Sequence, residues 1–278
     1  MTRLLAADFR RLWRSRLLWV MAGFMVLLGI YMGRESVLLI HALEKAEELP
    51  PMEKNFFVGV LALSVLSAVF SALFVGAEYG SGAMRNKLTA GHRRCDICFS
   101  GQVACTVATL LFGGCYAVGY LAFAIPQVGG FAGGFWQGLL QLALFLTAAL
   151  ALASLFVCIA TTVSNRTYSA VICLLAAVAL VGIGFLIANA LEEPPTYRQY
   201  DVELNGNLFS YEVPNPSYVG GFARKLLLFL RQVNPCGQAL YRITGGKDGA
   251  GLTVGLNLGM TALFSCVGAL LFRKKDLK

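Results

Sequence analysis

The longest uncharged stretch of the chain runs from Ile97 to Asn165 and reads ICFSGQVACTVATLLFGGCYAVGYLAFAIPQVGGFAGGFWQGLLQLALFLTAALALASLFVCIATTVSN. A membrane-spanning helix needs about 20 apolar residues, because it rises about 1.5 Å per residue through about 30 Å of hydrocarbon. The stretch is therefore long enough for two spans. The break between them is predicted near its middle, at Pro126 and the glycines Gly129, Gly130, Gly133 and Gly134.

The rest of the chain is also poor in charge. Of its 278 residues, 57% are hydrophobic and 14% are charged, whereas soluble domains carry about 25% charged residues. A charge in mid-bilayer costs at least about 2.5 kcal/mol, so uncharged gaps indicate spans. We predict an all-α fold and one transmembrane domain over residues 1–278, with spans near 17–33, 55–77, 99–125, 136–162, 167–191 and 252–272. We expect the first span to be retained rather than cleaved, because no small-x-small site follows it promptly.

The basic residues predict the orientation of these spans. Of the 23 Lys and Arg residues, 14 fall in four short alternate segments, namely 1–16, 78–96, Arg166 and 273–278. The longer segments 34–54 and 192–248 hold the other nine. Because cytoplasmic loops are enriched in Lys and Arg, we predict that the four short segments, and with them both termini, are cytoplasmic. The net charge of +8 then indicates topology and contact with anionic headgroups rather than nucleic-acid binding.

The N-terminus has the pattern of an amphipathic helix. One arc of this helix is apolar and consists of Leu5, Phe9, Leu12 and Trp13. The opposite arc is basic and consists of Arg3, Arg10, Arg11 and Arg14. Such a helix typically lies in the headgroup plane of a membrane. The alternative is that these basic residues only set the topology.

The largest loop, residues 192–250, is predicted on the outer side. Asn205-Gly206 predicts a hairpin with a two-residue turn between strands at 200–204 and 207–211. An amphipathic helix is predicted at 219–233, with an apolar face made of Val219, Phe222, Leu226, Phe229, Leu230 and Val233. This helix is too short and too charged to span, and it either lies on the outer leaflet or dips back into the protein. Its predicted end is the run Asn234-Pro235-Cys236-Gly237.

Motifs for several kinds of catalytic site are absent from the sequence. It contains no Gly-x-x-x-x-Gly-Lys-Ser/Thr loop, no Gly-x-Ser-x-Gly elbow and no His-Glu-x-x-His motif. We therefore predict that the chain is no enzyme and does not hydrolyse ATP. His92, Cys95 and Cys98 have the spacing of metal ligands on a helix, but no fourth ligand is near, and we predict no metal site. Of eight cysteines only Cys236 falls in an outer segment, so no disulfide framework is implied.

The loop after the second span combines turn-forming and basic residues. Glu78 ends the span, Gly82 permits a turn, and a short polar helix follows that carries Arg85, Asn86, Lys87 and Leu88. Gly91 ends this helix, and two basic residues lead into the next span, namely Arg93 and Arg94. We predict a compact basic knob facing the cytoplasm, held to the membrane by pairing of Glu78 with Arg85 or Arg94. The alternative is a plain loop that only sets topology.

This loop resembles the inner loop of type-two ABC exporter permeases, which typically reads Glu-x-x-x-Gly-Thr-x-Arg-Asn-Lys-Leu-x-x-Gly and then a basic residue. The matching positions are Glu78, Gly82, Arg85, Asn86, Lys87, Leu88 and Gly91, while Ala83 stands where Thr is common. A second match is Pro235-Cys236-Gly237-Gln238 before the last span, where relatives often carry Pro-x-Gly-Gln. The order of amphipathic start, six spans and large fifth loop is also similar to that family.

The resemblance implies a permease subunit in a bacterial plasma membrane. It implies two partners: a separate ATPase subunit, which binds ATP and Mg, and a second copy of the permease or a homologous one. Residues 79–95 would be the coupling helix, and the amphipathic start would be a connecting helix that also touches the ATPase. A re-entrant element would include Phe222, Leu226, Phe229, Pro235, Gly237 and Gln238. Two other functions stay open, a passive channel or secondary carrier and a non-transporting membrane protein, although the lack of charge inside the spans disfavours an ion-coupled carrier.

Overall fold

The computed structural model describes residues 1–43, 52–129, 131, 134–202, 208–246 and 249–274. These residues form eleven helices and one two-stranded hairpin. In chain order the elements are α1 (Thr2–Arg14), α2 (Arg16–Leu43), α3 (Glu53–Phe56), α4 (Val58–Gly80), α5 (Ala83–Thr89), α6 (Arg94–Val128), α7 (Gly134–Thr162), α8 (Arg166–Glu192), β1 (Thr196–Val202), β2 (Leu208–Pro214), α9 (Gly221–Val233), α10 (Pro235–Ile243) and α11 (Ala250–Lys274).

Six helical segments are long and apolar enough to cross a membrane. They are α2, α3 together with α4, α6, α7, α8 and α11. Each coincides with one of the six spans predicted from uncharged gaps, and the predicted break after Pro126 falls between α6 and α7. The chain is therefore helical and built as a multi-pass membrane protein.

The first of these helices is longer than the sequence analysis predicts. The predicted span stops before Arg34, whereas α2 continues through Arg34 and Glu35 to Leu43. The predicted boundary is wrong because an uncharged gap measures only the part of a helix inside hydrocarbon. A helix can continue once its charged side chains reach the headgroup level. Much of the predicted outer segment 34–54 is therefore helical.

The bundle is arranged around α4. This helix packs against α6, α7 and α8, while α2 packs along α6 and α11 along α7. Glycines let α2 and α6 approach closely, because a Cβ atom at Gly29 would lie 2.3 Å from the carbonyl oxygen of Tyr116. A Cβ atom at Gly119 would likewise lie 2.5 Å from the carbonyl oxygen of Val26. Small residues at helix contacts are typical of membrane proteins.

The predicted hairpin is confirmed, but its register is not the predicted one. Strands β1 and β2 pair antiparallel, with Val202 opposite Leu208. A two-residue turn at Asn205-Gly206 would place Glu203 opposite Leu208 instead. The turn residues themselves lie outside the described part of the chain.

The amphipathic helix after the hairpin is confirmed as α9, but the helix that follows it, α10, was not predicted. Asn234 ends α9 as predicted and also begins α10, because its side-chain oxygen accepts a hydrogen bond of 3.0 Å from the backbone N–H of Cys236. Pro235 occupies the first turn of α10, where a missing N–H costs nothing. The Asn-Pro pair is thus a helix start as well as a helix end. α10 packs mainly against α4, α8 and α9.

Candidate functional site

The segments with the most basic residues meet at one end of the bundle, which we call the basic end. Arg94 Nη1 lies 3.4 Å from the carbonyl oxygen of Arg273 and donates to it. Arg166 lies against α4, where a Cβ atom at Gly76 would come within 2.9 Å of its side chain. α1 and α5 lie at the same end, because Lys87 of α5 pairs with Asp8 of α1 and with Glu78 near the end of α4. The alternation of basic and less basic segments along the chain therefore corresponds to the two ends of the bundle.

The loop at the basic end is shaped by two glycines with positive φ. Gly82 (φ 70°) precedes α5 and Gly91 (φ 82°) follows it. After the helix, the N–H of Gly91 donates to the carbonyl of Leu88 at 2.9 Å, and that of His92 donates to the carbonyl of Lys87 at 3.3 Å. This pair of bonds is a Schellman motif, which fixes a helix end. The predicted helix end at Gly91 is confirmed.

An ion-pair cluster of five side chains holds the inner face of α5, and it consists of Asp8, Arg11, Glu78, Lys87 and Ser100. Lys87 Nζ donates to Glu78 Oε1 at 2.7 Å and to Asp8 Oδ1 at 2.9 Å. Arg11 Nη1 donates to Glu78 Oε1 at 2.7 Å, and Ser100 Oγ donates to Asp8 Oδ2 at 2.5 Å. The two carboxylates are only 2% and 3% exposed. Two carboxylates shielded from solvent are therefore neutralised by two partly exposed basic groups.

The ion-pair cluster ties four helices together, because its members come from α1, α4, α5 and α6. An unpaired buried charge destabilises a protein strongly, so each helix is held where its charged group finds its partners. Met84 adds an apolar anchor from α5 and is 4% exposed. α5 is consequently a rigid extension of the bundle rather than a loose loop.

The predicted partners of Glu78 are wrong. Glu78 pairs with Arg11 and Lys87, not with Arg85 or Arg94. Lys87 shares the inner face of α5 with Met84, three residues earlier, whereas Arg85 is on the exposed side.

Asp8 was not among the predicted site residues, although it pairs with Lys87 at the centre of the ion-pair cluster. One sequence feature could have identified Asp8: it is an acidic residue within an otherwise basic amphipathic helix, four residues from both Leu4 and Leu12.

α1 is amphipathic as predicted, but it is turned about its axis. Its buried residues are Leu4, Asp8 and Leu12, and the helix packs on α6. Of the predicted apolar arc, Leu5 and Phe9 are half-buried and Trp13 is 46% exposed. Of the predicted basic arc, three residues are exposed, namely Arg3, Arg10 and Arg14. Arg11 instead stacks on the Phe74 ring, with its guanidinium carbon 3.8 Å from the ring centre. α1 is therefore docked on the bundle through two apolar side chains, Leu4 and Leu12, and two charged ones, Asp8 and Arg11.

The outer face of α5 and the turn after it are exposed. This surface, which we call the knob face, consists of Arg85, Asn86, Thr89, Ala90 and Arg93. Within the described ranges, neither Arg85 nor Arg93 has a carboxylate partner. A rigid surface with unneutralised positive charge suits contact with an acidic surface of another protein.

The second group of predicted site residues lies at the opposite end of the bundle. α9 turns its basic side toward the protein, since Arg224 Nη2 donates to the carbonyl of Leu191 at 3.2 Å. The guanidinium carbon of Arg231 likewise lies 3.8 Å from the ring centre of Tyr241. The predicted apolar face points away from the protein, with exposed side chains at Phe222, Leu226 and Phe229. The structure thus does not bring the two groups of predicted site residues together.

The residues predicted from the Pro-x-Gly-Gln run are buried in α10. They are Pro235, Gly237 and Gln238. Gln238 Nε2 donates to Asn257 Oδ1 at 3.0 Å and to the carbonyl of Gln232 at 2.6 Å, which links α10 to α11 and α9. Burial raises the pKa of the neighbouring Cys236 thiol to about 11. These residues shape the packing of the far end rather than an exposed surface.

The histidine and cysteines at the start of α6 do not assemble into a metal centre. In the part of the chain that the structure describes, no three His, Cys, Asp or Glu side chains are placed to hold a metal ion. Cys95 is exposed whereas Cys98 is buried, so the two thiols face different surroundings.

In comparisons with known proteins, no protein-family model and no curated protein matches this chain. The functional interpretation therefore depends on the geometry of the basic end and on the resemblance of the loop 78–96.

Proposed function

We propose that the chain is the membrane-spanning permease subunit of an ABC exporter and that a separate ATPase subunit docks on residues 79–95. One observation carries the proposal: α5 has two unlike faces. Its inner face is locked by Lys87 into the ion-pair cluster, and its outer face presents Arg85 and Arg93 to solvent. A docking element that transmits movement needs both properties, an accessible surface and a stiff connection to the spans.

The proposal assigns different roles to residues of the loop. Arg85, Asn86 and Arg93 form the surface that contacts the ATPase subunit. Glu78 and Lys87 are anchors, because their charged groups are already paired inside the protein. A push on α5 is then passed directly to α4 through Glu78 and to α1 and α6 through Asp8 and its partner Ser100.

Transport in this proposal uses two copies of the bundle, or one copy with a homologous permease. The ATPase subunits bind ATP and Mg, and their closure moves α5 and reorients the helices around the path between the two bundles. The basic end faces the cytoplasm of a bacterial cell, in keeping with the excess of Lys and Arg there. The exposed apolar surfaces of α8 and α11 are left for lipid and for the second permease.

The test is co-expression with an ATP-binding-cassette ATPase encoded next to the chain, followed by purification through a tag on the permease. We expect a stable complex, and we expect Arg85→Glu together with Arg93→Glu to weaken it about tenfold or more, since like charges facing an acidic surface repel. The matched control reverses two exposed basic residues at the far end, Arg198 and Lys225, and should assemble normally. Intact assembly and ATP-driven transport in the first variant would rule out docking on α5.

A further inference from the structure

A groove between α1 and the basic end of α4 is not used by the proposed docking of an ATPase. Its volume is about 940 Å³, which is within the range of about 300–1,000 Å³ typical of ligand sites. Five arginines line it, namely Arg3, Arg10, Arg11, Arg14 and Arg166. Its apolar lining comes mainly from one side of α4, at Phe70, Leu73 and Phe74.

The arginines of the groove are largely unneutralised. Among the described residues, Arg11 has a carboxylate partner in Glu78, whereas Arg10, Arg14 and Arg166 have none and are exposed. Arg10 and Arg14 are four residues apart on α1, a spacing at which like charges repel. The one carboxylate of α1, Asp8, points into the ion-pair cluster. A bound anion would therefore relieve repulsion that the protein itself leaves in place.

Arg11 also lines the groove, but its guanidinium is already engaged by the protein. Nη1 donates to Glu78 Oε1 at 2.7 Å, and Nη2 donates to the carbonyl of Phe74 at 3.3 Å. The guanidinium carbon lies 3.8 Å above the Phe74 ring. An anion in the groove is therefore left to the arginines that have no such partners.

The two kinds of lining define the chemistry of the ligand. Guanidinium groups bind phosphate with paired hydrogen bonds, which makes arginine the usual residue for this group. The half-buried apolar side chains of the lining, Leu17, Leu73 and Ala77, suit an aliphatic chain and would gain nothing from a small hydrophilic anion. Both features together fit an amphiphile that carries a phosphate head and an acyl tail. Basic pockets between membrane helices commonly hold such lipids.

We propose that this groove binds one anionic phospholipid from the leaflet that surrounds the basic end. The phosphate lies among Arg10, Arg14 and Arg166, and the acyl chain runs along Leu17 and Leu73. The inference needs only that α1 lies at the membrane surface. It does not depend on an ATPase subunit, so it can fail or succeed independently of the proposed function.

The test measures binding of phosphatidylglycerol and of phosphatidylcholine with the same acyl chains to the purified full chain, by native mass spectrometry. We expect one phosphatidylglycerol to bind much more tightly than phosphatidylcholine. Arg10→Gln together with Arg14→Gln should weaken phosphatidylglycerol binding about 30-fold, from the usual effect of one basic residue near an anionic lipid. Equal binding of the two lipids would overturn the proposal.

Matched variants distinguish a specific phospholipid site from general electrostatic attraction of anionic lipid to the basic end. Arg85→Gln together with Arg93→Gln removes the same charge at the same end but outside the groove, and should leave phosphatidylglycerol binding unchanged. Arg166→Gln lies on α8, so it tests the site without altering α1, and should weaken binding about fivefold. An equal loss in the Arg85 and Arg93 variant, or no loss with Arg166→Gln, would refute the site.

A further arm distinguishes a lipid from free phosphate as the occupant. Inorganic phosphate lacks a tail to contact Leu17 and Leu73. We therefore expect it not to displace phosphatidylglycerol at millimolar concentration. Displacement at that concentration would show that the groove is a plain anion site and would overturn the assignment to a phospholipid.

Discussion

Removing the ammonium group of Lys87 tests the rigidity of α5, on which the proposed coupling depends. In Lys87→Met, the carboxylates of Asp8 and Glu78 stay buried and lose their shared partner, which donates to them at 2.9 and 2.7 Å. Breaking a buried ion pair by removing one partner costs about 3–5 kcal/mol. Arg11 and Ser100 still donate to the two carboxylates, so we take the lower value, about 3 kcal/mol.

The stability lost in Lys87→Met should appear as local opening of α5 and α1, because these helices are attached through the ion-pair cluster. Hydrogen–deuterium exchange of the purified protein in lipid nanodiscs measures this opening directly. About 3 kcal/mol corresponds to about 100-fold faster exchange of the amides in α5. The matched control Arg85→Met removes an exposed charge from the same helix, and its effect should stay within about 0.5 kcal/mol, or about twofold.

A double variant separates lost charge balance from lost packing. Asp8→Asn with Lys87→Met removes one negative and one positive group and leaves the pair of Glu78 and Arg11. We expect it to recover much of the protection lost in Lys87→Met, because fewer buried charges remain without a partner. If Lys87→Met exchanges no faster than Arg85→Met, the ion-pair cluster does not hold α5 and the reasoning is refuted.

Two further outcomes are expected from the packing of the bundle. Gly29→Ala would place its Cβ atom 2.3 Å from the Tyr116 carbonyl oxygen and should destabilise the protein by about 1–3 kcal/mol in thermal unfolding. Gly23→Ala, which has open space around it, should leave the stability unchanged. Equal unfolding temperatures of the two variants would contradict the close contact of α2 with α6. Because burial raises the pKa of Cys236 to about 11, its thiol stays protonated below that pH, and maleimide should label exposed Cys95 quickly but Cys236 slowly at neutral pH until the protein is denatured. Fast labelling of Cys236 in the folded protein would contradict the burial of α10.

The spans could be predicted from the sequence because one free-energy cost, that of placing charge in hydrocarbon, dominates where they lie. The energy of placing charge in hydrocarbon is the same for any fold, so uncharged gaps located all six apolar helices. The same signal failed at Arg34, because it reports where hydrocarbon ends and not where hydrogen bonding of the helix ends. α10 was missed for a different reason: an Asn-Pro pair stops one helix and caps the next, and the sequence signal for the two is the same.

The loop at the basic end could be predicted in shape but not in its partners. Gly82 and Gly91 carry local information, because positive φ is easily adopted only by glycine, and this placed the short helix between them. The pair of Asp8 and Lys87 joins residues 79 positions apart, and it exists only because α1 packs on α6. In the local sequence, Lys87 and Arg85 differ only in the side of the seven-residue helix α5 on which they lie. That difference makes Lys87 an anchor and Arg85 an exposed residue.

Photo-crosslinking from position 85 in intact cells tests the central proposal most directly. A photoreactive amino acid replaces Arg85 on the knob face in one variant of the chain. In a control variant it replaces Ser217, an exposed residue near the far end. The proposal predicts a crosslink from position 85 to the ATPase subunit and none from position 217. No crosslink from position 85 to the ATPase subunit, or an equal crosslink from position 217, would contradict it.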